Sequence, residues 1–264
     1  MNNISFPKLG ISFDINPVAI DIPVLGGVRW YGIIIGLGII LAFLYCCQIA
    51  IKEGEKSDTI ADIILYALPV SVIFARTYYV IFSWESYKDD FASVFRIWEG
   101  GIAIYGAIIG AVLTAFIYCR VKKLDVLKIF DICSLGLLIG QLVGRWGNFV
   151  NAEAFGGYCG YIWGMSINGA APVHPTFLYE SLWNFMGFII LSRLHKRRPF
   201  YGYTFFTYLS WYGVGRFFIE GLRTDSLYIG GMRVSQIVAL LCVLSGIFAL
   251  SLLSEKTRNC ITKE

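Results

Sequence analysis

The sequence predicts an all-α, polytopic membrane protein with seven transmembrane helices and a small outward-facing loop domain. Three observations predict it. Of 264 residues, 57% are hydrophobic and only 15% charged, against the roughly 25% charge of soluble domains, too little to clothe a water-facing surface. The apolar residues fall in blocks of about 20, the length that crosses a bilayer at ~1.5 Å rise per residue. Lys and Arg gather in short clusters between those blocks, so the formal charge of +4 reads as a topology signal and not as a nucleic-acid-binding face. The lipid bilayer is the expected surrounding, and no nucleic acid is expected as a partner.

The elements follow in chain order. Residues 1–28 contain Asp14, Asp21 and the prolines Pro7, Pro17 and Pro23, with no basic segment leading into an apolar one. They do not read as a signal peptide, and the first span is expected to target the chain. That span, 31–51, is apolar apart from Gln48, and the last, 234–253, carries no charge. Between them lie spans near 59–82, 101–119, 126–149, 175–194 and 201–219, which tolerate Asp62, Pro69, Arg76, Arg145, Glu180 and Arg216.

With the N-terminus outside, the inner loops and tail hold twelve Lys and Arg residues, from Lys52 to Lys263, and the outer segments hold six, from Lys8 to Arg233. That bias satisfies the positive-inside rule and fits an odd number of spans, placing the C-terminus in the cytoplasm. The two longest connections, 83–100 and the Gly-rich 150–174, then face outward, where function is expected. Without a low-complexity tract or a convincing internal repeat, one integral membrane domain over 1–264 is the economical reading. The seven cysteines make no CxxC or metal-ligand spacing. Cys46, Cys47, Cys119, Cys133 and Cys242 lie inside apolar blocks, so no disulfide framework is implied.

Chemistry concentrates in four stretches. Gly144 to Glu153 places Arg145, Asn148, Asn151 and Glu153 at the end of the fourth span. The plain alternative is that Arg145 snorkels to the interface or pairs with Glu153. The sixth span delivers Tyr212, Arg216 and Glu220 at i, i+4 and i+8, one helical face, with Arg223 just beyond. Here the plain alternative is an intrahelical Arg216–Glu220 pair. Trp98 to Gly106 opens the third span with Gly100, Gly101, Tyr105 and Gly106, whose glycines suit either a tight turn or close helix packing. His174-Pro175-Thr176-Phe177-Leu178-Tyr179-Glu180 opens the fifth, where Pro suits an early helical position and a His beside it is commonly structural.

Two Arg-bearing helix ends on one face favour an anion site, and guanidinium forks match phosphate oxygens. A phosphate at outer-leaflet depth points first to a phospholipid headgroup. With only His174 and His195 present, a His-rich metal site is excluded, and no metal is expected. No Gly-x-Ser-x-Gly elbow supports a serine hydrolase. A transporter or lipid flippase is the rival class, because buried Arg residues also mark permeation routes. A retinal-type receptor lacks the intramembrane Lys it needs.

The stretch Gly144 to Gly156 resembles the signature GRxGNFxNxExxG of the prolipoprotein diacylglyceryl transferase family. Further similarity lies at Arg29-Trp30-Tyr31-Gly32, Gly100-Gly101, the 174–180 stretch and Tyr212, Arg216, Glu220 and Arg223. The resemblance implies transfer of diacylglycerol from phosphatidylglycerol to the lipobox cysteine of prolipoproteins, the first step of lipoprotein maturation, at the bacterial cytoplasmic membrane and without a cofactor. It implies functional roles for Tyr31, Gly100, Gly106, Arg145, Asn148, Asn151, Glu153, Gly156, Tyr212, Arg216 and Glu220, with Arg145 foremost. One departure matters: many family members carry His where this chain has Tyr105, and that His is a candidate base. Tyr105, His174 and Glu153 are therefore the three candidates here.

Overall fold

The computed structural model describes residues 1–21 and 27–261; Pro23 and Lys263, counted above, lie outside them. Among the described residues seven α-helices form on the seven apolar blocks: α1 (Trp30–Lys52), α2 (Ser57–Phe82), α3 (Ile104–Lys122), α4 (Val126–Asn151), α5 (Thr176–His195), α6 (Tyr203–Leu222) and α7 (Val234–Ile261). Five of them, α1 to α4 and α7, are long and apolar enough to cross a membrane. The 20-residue α5 and α6 are not among these, and they carry Glu180, Asn184, Arg193, Arg216 and Glu220.

The all-α description holds for the long elements, but short strands add to it. An antiparallel sheet pairs β1 (Asn2–Phe6) with β2 (Ile11–Ile15) on one side and with β5 (Ser166–Ile167) on the other. Two-stranded pairs join β3 (Val18–Ile20) to β4 (Val28–Arg29) and β6 (Tyr228–Ile229) to β7 (Met232–Arg233). The segment before α1 is thus built structure and not an irregular tail.

The chain falls into two compact units, Met1–Cys46 with Phe130–Glu264, and Cys47–Ile129. In the smaller unit α2 and α3 pack along a glycine seam. A Cβ on Gly110 would meet Phe74 Cβ and Ser71 Cα at 3.0 Å, and one on Gly106 would meet Tyr78 Cβ at 2.7 Å and Ala75 Cα at 2.8 Å. Small residues four apart let two backbones approach in an apolar medium. Tyr118 of α3 donates to Asp62 of α2 at 2.7 Å, so the carboxylate within the apolar block has a partner. The connection from α2 to α3 winds through short 3-10 turns at Trp84–Ser86, Phe91–Phe95 and Ile97–Glu99.

In the larger unit, Leu135, Leu138, Leu191 and Tyr208 form the buried centre, lined by Tyr45, Phe188 and Phe205. Asp131, fully buried in α4, accepts from the backbone N–H of Gly202 (2.9 Å) and Phe205 (2.8 Å). It thereby satisfies donors that the start of α6 leaves without a helical partner, and it fixes the level at which α6 begins. At the other end of α4, Phe149 packs on Phe177 (centroids 4.7 Å) and on Phe13 of β2 (6.0 Å). Ile4, Met165 and Phe177 close that apolar cluster. The N-terminal sheet therefore braces the end of α4 against the start of α5.

Candidate functional site

The C-terminal end of α4, the first turns of α5 and the last turns of α6 bring the charged residues together. Glu180, only 5% exposed, is the centre of the arrangement. Its Oε2 pairs with Arg145 Nη2 of α4, its Oε1 accepts from Arg216 Nη1 of α6 at 2.9 Å, and Arg223 Nη1 stands 3.9 Å from the same Oε1. Arg216 also approaches Glu220 Oε2 at 2.5 Å, in a geometry that is an ion pair without an aligned hydrogen bond. One buried carboxylate thus holds two guanidiniums from different helices, and each guanidinium keeps donors to spare.

The expected intrahelical Arg216–Glu220 pair is present. The alternative pairing of Arg145 with Glu153 is not: the anion on Arg145 is Glu180. Glu153 instead accepts from Asn148 Nδ2 at 2.9 Å and from Asn151 Nδ2 at 3.5 Å, while Asn148 Oδ1 accepts from Arg145 Nη1 at 3.3 Å. These four residues form a polar chain around the last turn of α4. The backbone there turns sharply, with Ala152 (φ 54°) and Ala154 (φ 57°) both left-handed on either side of Glu153. Such conformations are unfavourable for alanine and persist only where the surroundings impose them. Thr176 of α5 helps by donating to Ala154 O.

Gly156 is a three-way junction. Its N–H donates to His174 O at 2.9 Å, the next N–H, of Gly157, donates to Leu222 O at 2.9 Å, and Gly156 pairs with Arg223 as a β-bridge. A Cβ here would meet His174 Cβ at 2.7 Å and Leu222 O at 2.8 Å, so only glycine lets the loop after α4 reach both chains. His174 Nδ1 lies 3.1 Å from Tyr179 Oη, which accepts from Trp163 Nε1 at 2.7 Å. Tyr31 lays its ring against Gly147, where a Cβ would fall 2.8 Å from Cδ2. Tyr212, one turn before Arg216, stacks on Tyr208 at 6.1 Å.

Gly100, Tyr105 and Gly106 belong to the smaller unit and are placed within it. Gly100 and Gly101 carry φ of 89° and 75°, Tyr105 stands in the first turn of α3 with its ring 6.4 Å from that of Tyr78, and Gly106 belongs to the packing seam. Close packing is thus a complete explanation of Gly106 as a residue type.

Beyond α6, Arg223 forms a two-pronged pair with Asp225, Nε to Oδ1 at 2.9 Å and Nη2 to Oδ2 at 2.7 Å. That hydrogen bonding holds the Asp225 carboxyl below the ordinary range against the opposing effect of partial burial. Arg233 of β7 donates to Glu220 O, tying the β6–β7 hairpin to the same helix end. From the sequence Glu180 stands out as a carboxylate held in an apolar block but receives no role, and Arg233 is counted only among the outer cations.

The family model described as prolipoprotein diacylglyceryl transferase matches residues 17–252. A phosphatidylglycerol–prolipoprotein diacylglyceryl transferase of Clostridioides difficile (strain 630) is 44% identical over 237 residues, covering 90% of this chain and 95% of the relative. A protein of the same name from Lysinibacillus sphaericus (strain C3-41) is 46% identical over 250 residues, covering 89% and 91%. Another, from Finegoldia magna (strain ATCC 29328), is 46% identical over 221 residues, covering 83% and 89%.

Proposed function

The chain belongs to the prolipoprotein diacylglyceryl transferase family, and from that premise we propose that it transfers the diacylglyceryl group of phosphatidylglycerol to the lipobox cysteine of prolipoproteins. The cysteine thiolate attacks the glyceryl carbon that bears the phosphate. A C–S bond forms, the C–O bond to phosphate breaks, and glycerol 1-phosphate leaves with the bonding electrons. The thiol proton passes to a base on the enzyme.

The observation that supports this reading best is the Arg145–Glu180–Arg216 bridge. The phosphodiester carries one negative charge and the departing phosphomonoester gains a second, so guanidiniums held in place stabilise the transition state more than the ground state. Glu180 and Glu220 hold those guanidiniums before substrate arrives, which limits the reorganisation needed at the moment of reaction. Asn148 and Asn151, anchored on Glu153, orient headgroup oxygens. Tyr31, Gly156 and Tyr212 shape the surroundings, and the family resemblance implies functional roles for Gly100, Tyr105 and Gly106 of the smaller unit as well. His174, Tyr105 and Glu153 are the candidate bases.

The chain is a multi-pass membrane protein with bacterial relatives. In our reading all seven helices cross the membrane, α5 and α6 being less apolar because they carry the site. The chain forms one membrane transferase domain, with the N-terminus and the 83–100 and 150–174 segments outside and the C-terminus in the cytoplasm. The distribution of Lys and Arg supports that orientation.

The deciding experiment incubates purified protein with phosphatidylglycerol micelles and a lipobox peptide and follows the peptide by mass spectrometry. A diacylglyceryl adduct on cysteine, released glycerol 1-phosphate, and loss of both in Arg145→Ala are expected. Phosphatidylglycerol left intact by a folded protein refutes the reading.

A further inference from the structure

Arg76 lies near the C-terminal end of α2, 6% exposed, in a block that should exclude a charge. Its Nε donates to Val94 O at 2.8 Å. Nη1 donates to Gly100 O at 2.6 Å and Gly101 O at 2.8 Å, and Nη2 to Ser93 O at 2.6 Å and Arg96 O at 3.4 Å. The ring of Tyr87 lies 5.0 Å from the guanidinium carbon. All five bonds end on main-chain carbonyls, as many bonds as a guanidinium has N–H donors.

The carbonyls come from the short helical turns after α2 and from the glycine pair that follows them. Ser93 O also accepts from the Arg96 backbone N–H at 3.1 Å, and one cation gathers it with the other four carbonyls. Burying a charge is expensive unless its donors are met, so the conformation of residues 93–101 and the burial of Arg76 require each other.

Gly101 shows the match from the other side. At its φ of +75° a Cβ would fall 2.5 Å from Arg76 Nη1 and 2.9 Å from both Tyr79 Cε1 and Tyr87 Oη. Directly after this turn Ala103 N–H donates to Ala75 O at 3.1 Å, beside Arg76 in α2, and α3 begins at Ile104. The clamp and the start of α3 are therefore contiguous, and Tyr105 is the second residue of that helix.

We propose that Arg76 is a positioning residue for the transfer reaction: it fixes the Gly100–Gly101 turn and through it the placement of Tyr105 at the head of α3. A Lys ammonium cannot replace it, because a point charge with three donors does not span carbonyls spread from Ser93 to Gly101. The inference rests on the reading that Gly100, Tyr105 and Gly106 have roles in the transfer reaction.

The test uses the full-length purified protein, with Arg76→Lys and, should that variant not fold, Gly101→Ala, which pushes on the same guanidinium from the opposite side. Amide exchange over residues 91–106 and the separate kcat and KM for phosphatidylglycerol are measured. Each folded variant is expected to exchange at least about tenfold faster across 93–103, with kcat reduced at least about tenfold and KM within about twofold of the parent. A general loss of structure would instead accelerate exchange throughout the chain. Parental exchange over 93–103 in Arg76→Lys overturns the proposal. So does faster exchange with parental kcat, provided that Tyr105→Phe slows the parent enzyme. If Tyr105→Phe leaves turnover intact, the assignment of this segment to the transfer reaction fails instead, and the exchange rates alone decide whether Arg76 holds the turn.

Discussion

Trp183 and Trp211 donate their indole N–H groups to each other's main-chain carbonyl oxygens, at 3.0 Å and 3.1 Å, with rings stacked 4.4 Å apart. Each ring lies over a glycine of the facing helix. A Cβ on Gly187 would fall 2.8 Å from Trp211 Cδ1, and one on Gly215 would fall 2.7 Å from Trp183 Cε2. This reciprocal lock joins α5 and α6 one turn from Glu180 and beside Arg216, so it sets the spacing at which the two charges meet.

Gly187→Ala and Gly215→Ala should therefore each lower thermal stability in detergent, by about 1–3 kcal/mol from overpacking, despite the ~1 kcal/mol that alanine contributes in a helix. Transfer activity should fall with them. Gly221→Ala is the control, since the nearest atom to its Cβ is Gln236 Nε2 at 3.6 Å. If Gly215→Ala proves as stable as Gly221→Ala, the lock is not what spaces α5 from α6.

Glu180→Gln keeps the shape but removes the charge that two guanidiniums share. Hydrogen bonds to charged groups contribute roughly 1.5–3 kcal/mol, so the transfer rate is expected to fall by about tenfold or more, and Glu180→Asp should recover part of it. Glu153→Gln, whose carboxylate accepts from the Asn148 and Asn151 amides, should reduce the rate less. The opposite order would make Glu153 the organising anion.

The long helices were legible because apolarity is a local property: the block read as 126–149 became Val126–Asn151, and 201–219 became Tyr203–Leu222. The strands were not. Asn2–Phe6 has a partner, Ser166–Ile167, two residues long and over 150 positions away, and such a pairing leaves no pattern in either stretch. The charged residues gathered at the helix ends were legible in composition, but their pairing was not. The helical spacing of Arg216 and Glu220 predicted their pair, whereas Arg145 had to choose between Glu153, eight residues on, and Glu180, on another helix. Packing of Phe149 on Phe177 makes that choice, by bringing the end of α4 onto the start of α5.

The Arg223–Asp225 pair carries a prediction about acid. Asp225 is held below its ordinary pKa when folded, so its contribution to stability is fully present above the unfolded value of ~3.9 and is lost as pH falls through the folded one. The pair is partly solvated, and the effect should stay below about 1 kcal/mol. Melting temperatures of the parent and Asp225→Asn should differ by a constant amount between pH 7 and pH 5 and converge only under stronger acid. Convergence already between pH 7 and pH 5 would contradict the direction of the shift.

The transfer reaction requires a base. A substrate thiol of pKa ~8.5 is mostly protonated at neutral pH, so the reaction needs a group that takes its proton. Glu153 is engaged by Asn148 and Asn151, a use that suits an anchoring anion. His174 has Nδ1 beside Tyr179 Oη at 3.1 Å, and Tyr179 in turn accepts from Trp163, while its main chain is tied to Gly156 and Gly157. That ring is held by its neighbours as a structural histidine is. Tyr105 stands at the head of α3, where the family resemblance implies a His in many members. General base catalysis is typically worth 10² to 10⁴ in rate, so Tyr105→Phe should slow single-turnover transfer at least about tenfold. Tyr105→His should preserve much of the rate, because it restores a titratable group in the same place. Tyr179→Phe, which removes the hydroxyl beside His174, should change the rate little and leave its pH dependence in place. If Tyr105→Phe turns over normally and His174→Gln abolishes the pH dependence, the base is His174, and the Tyr179 hydroxyl becomes the group that orients its ring.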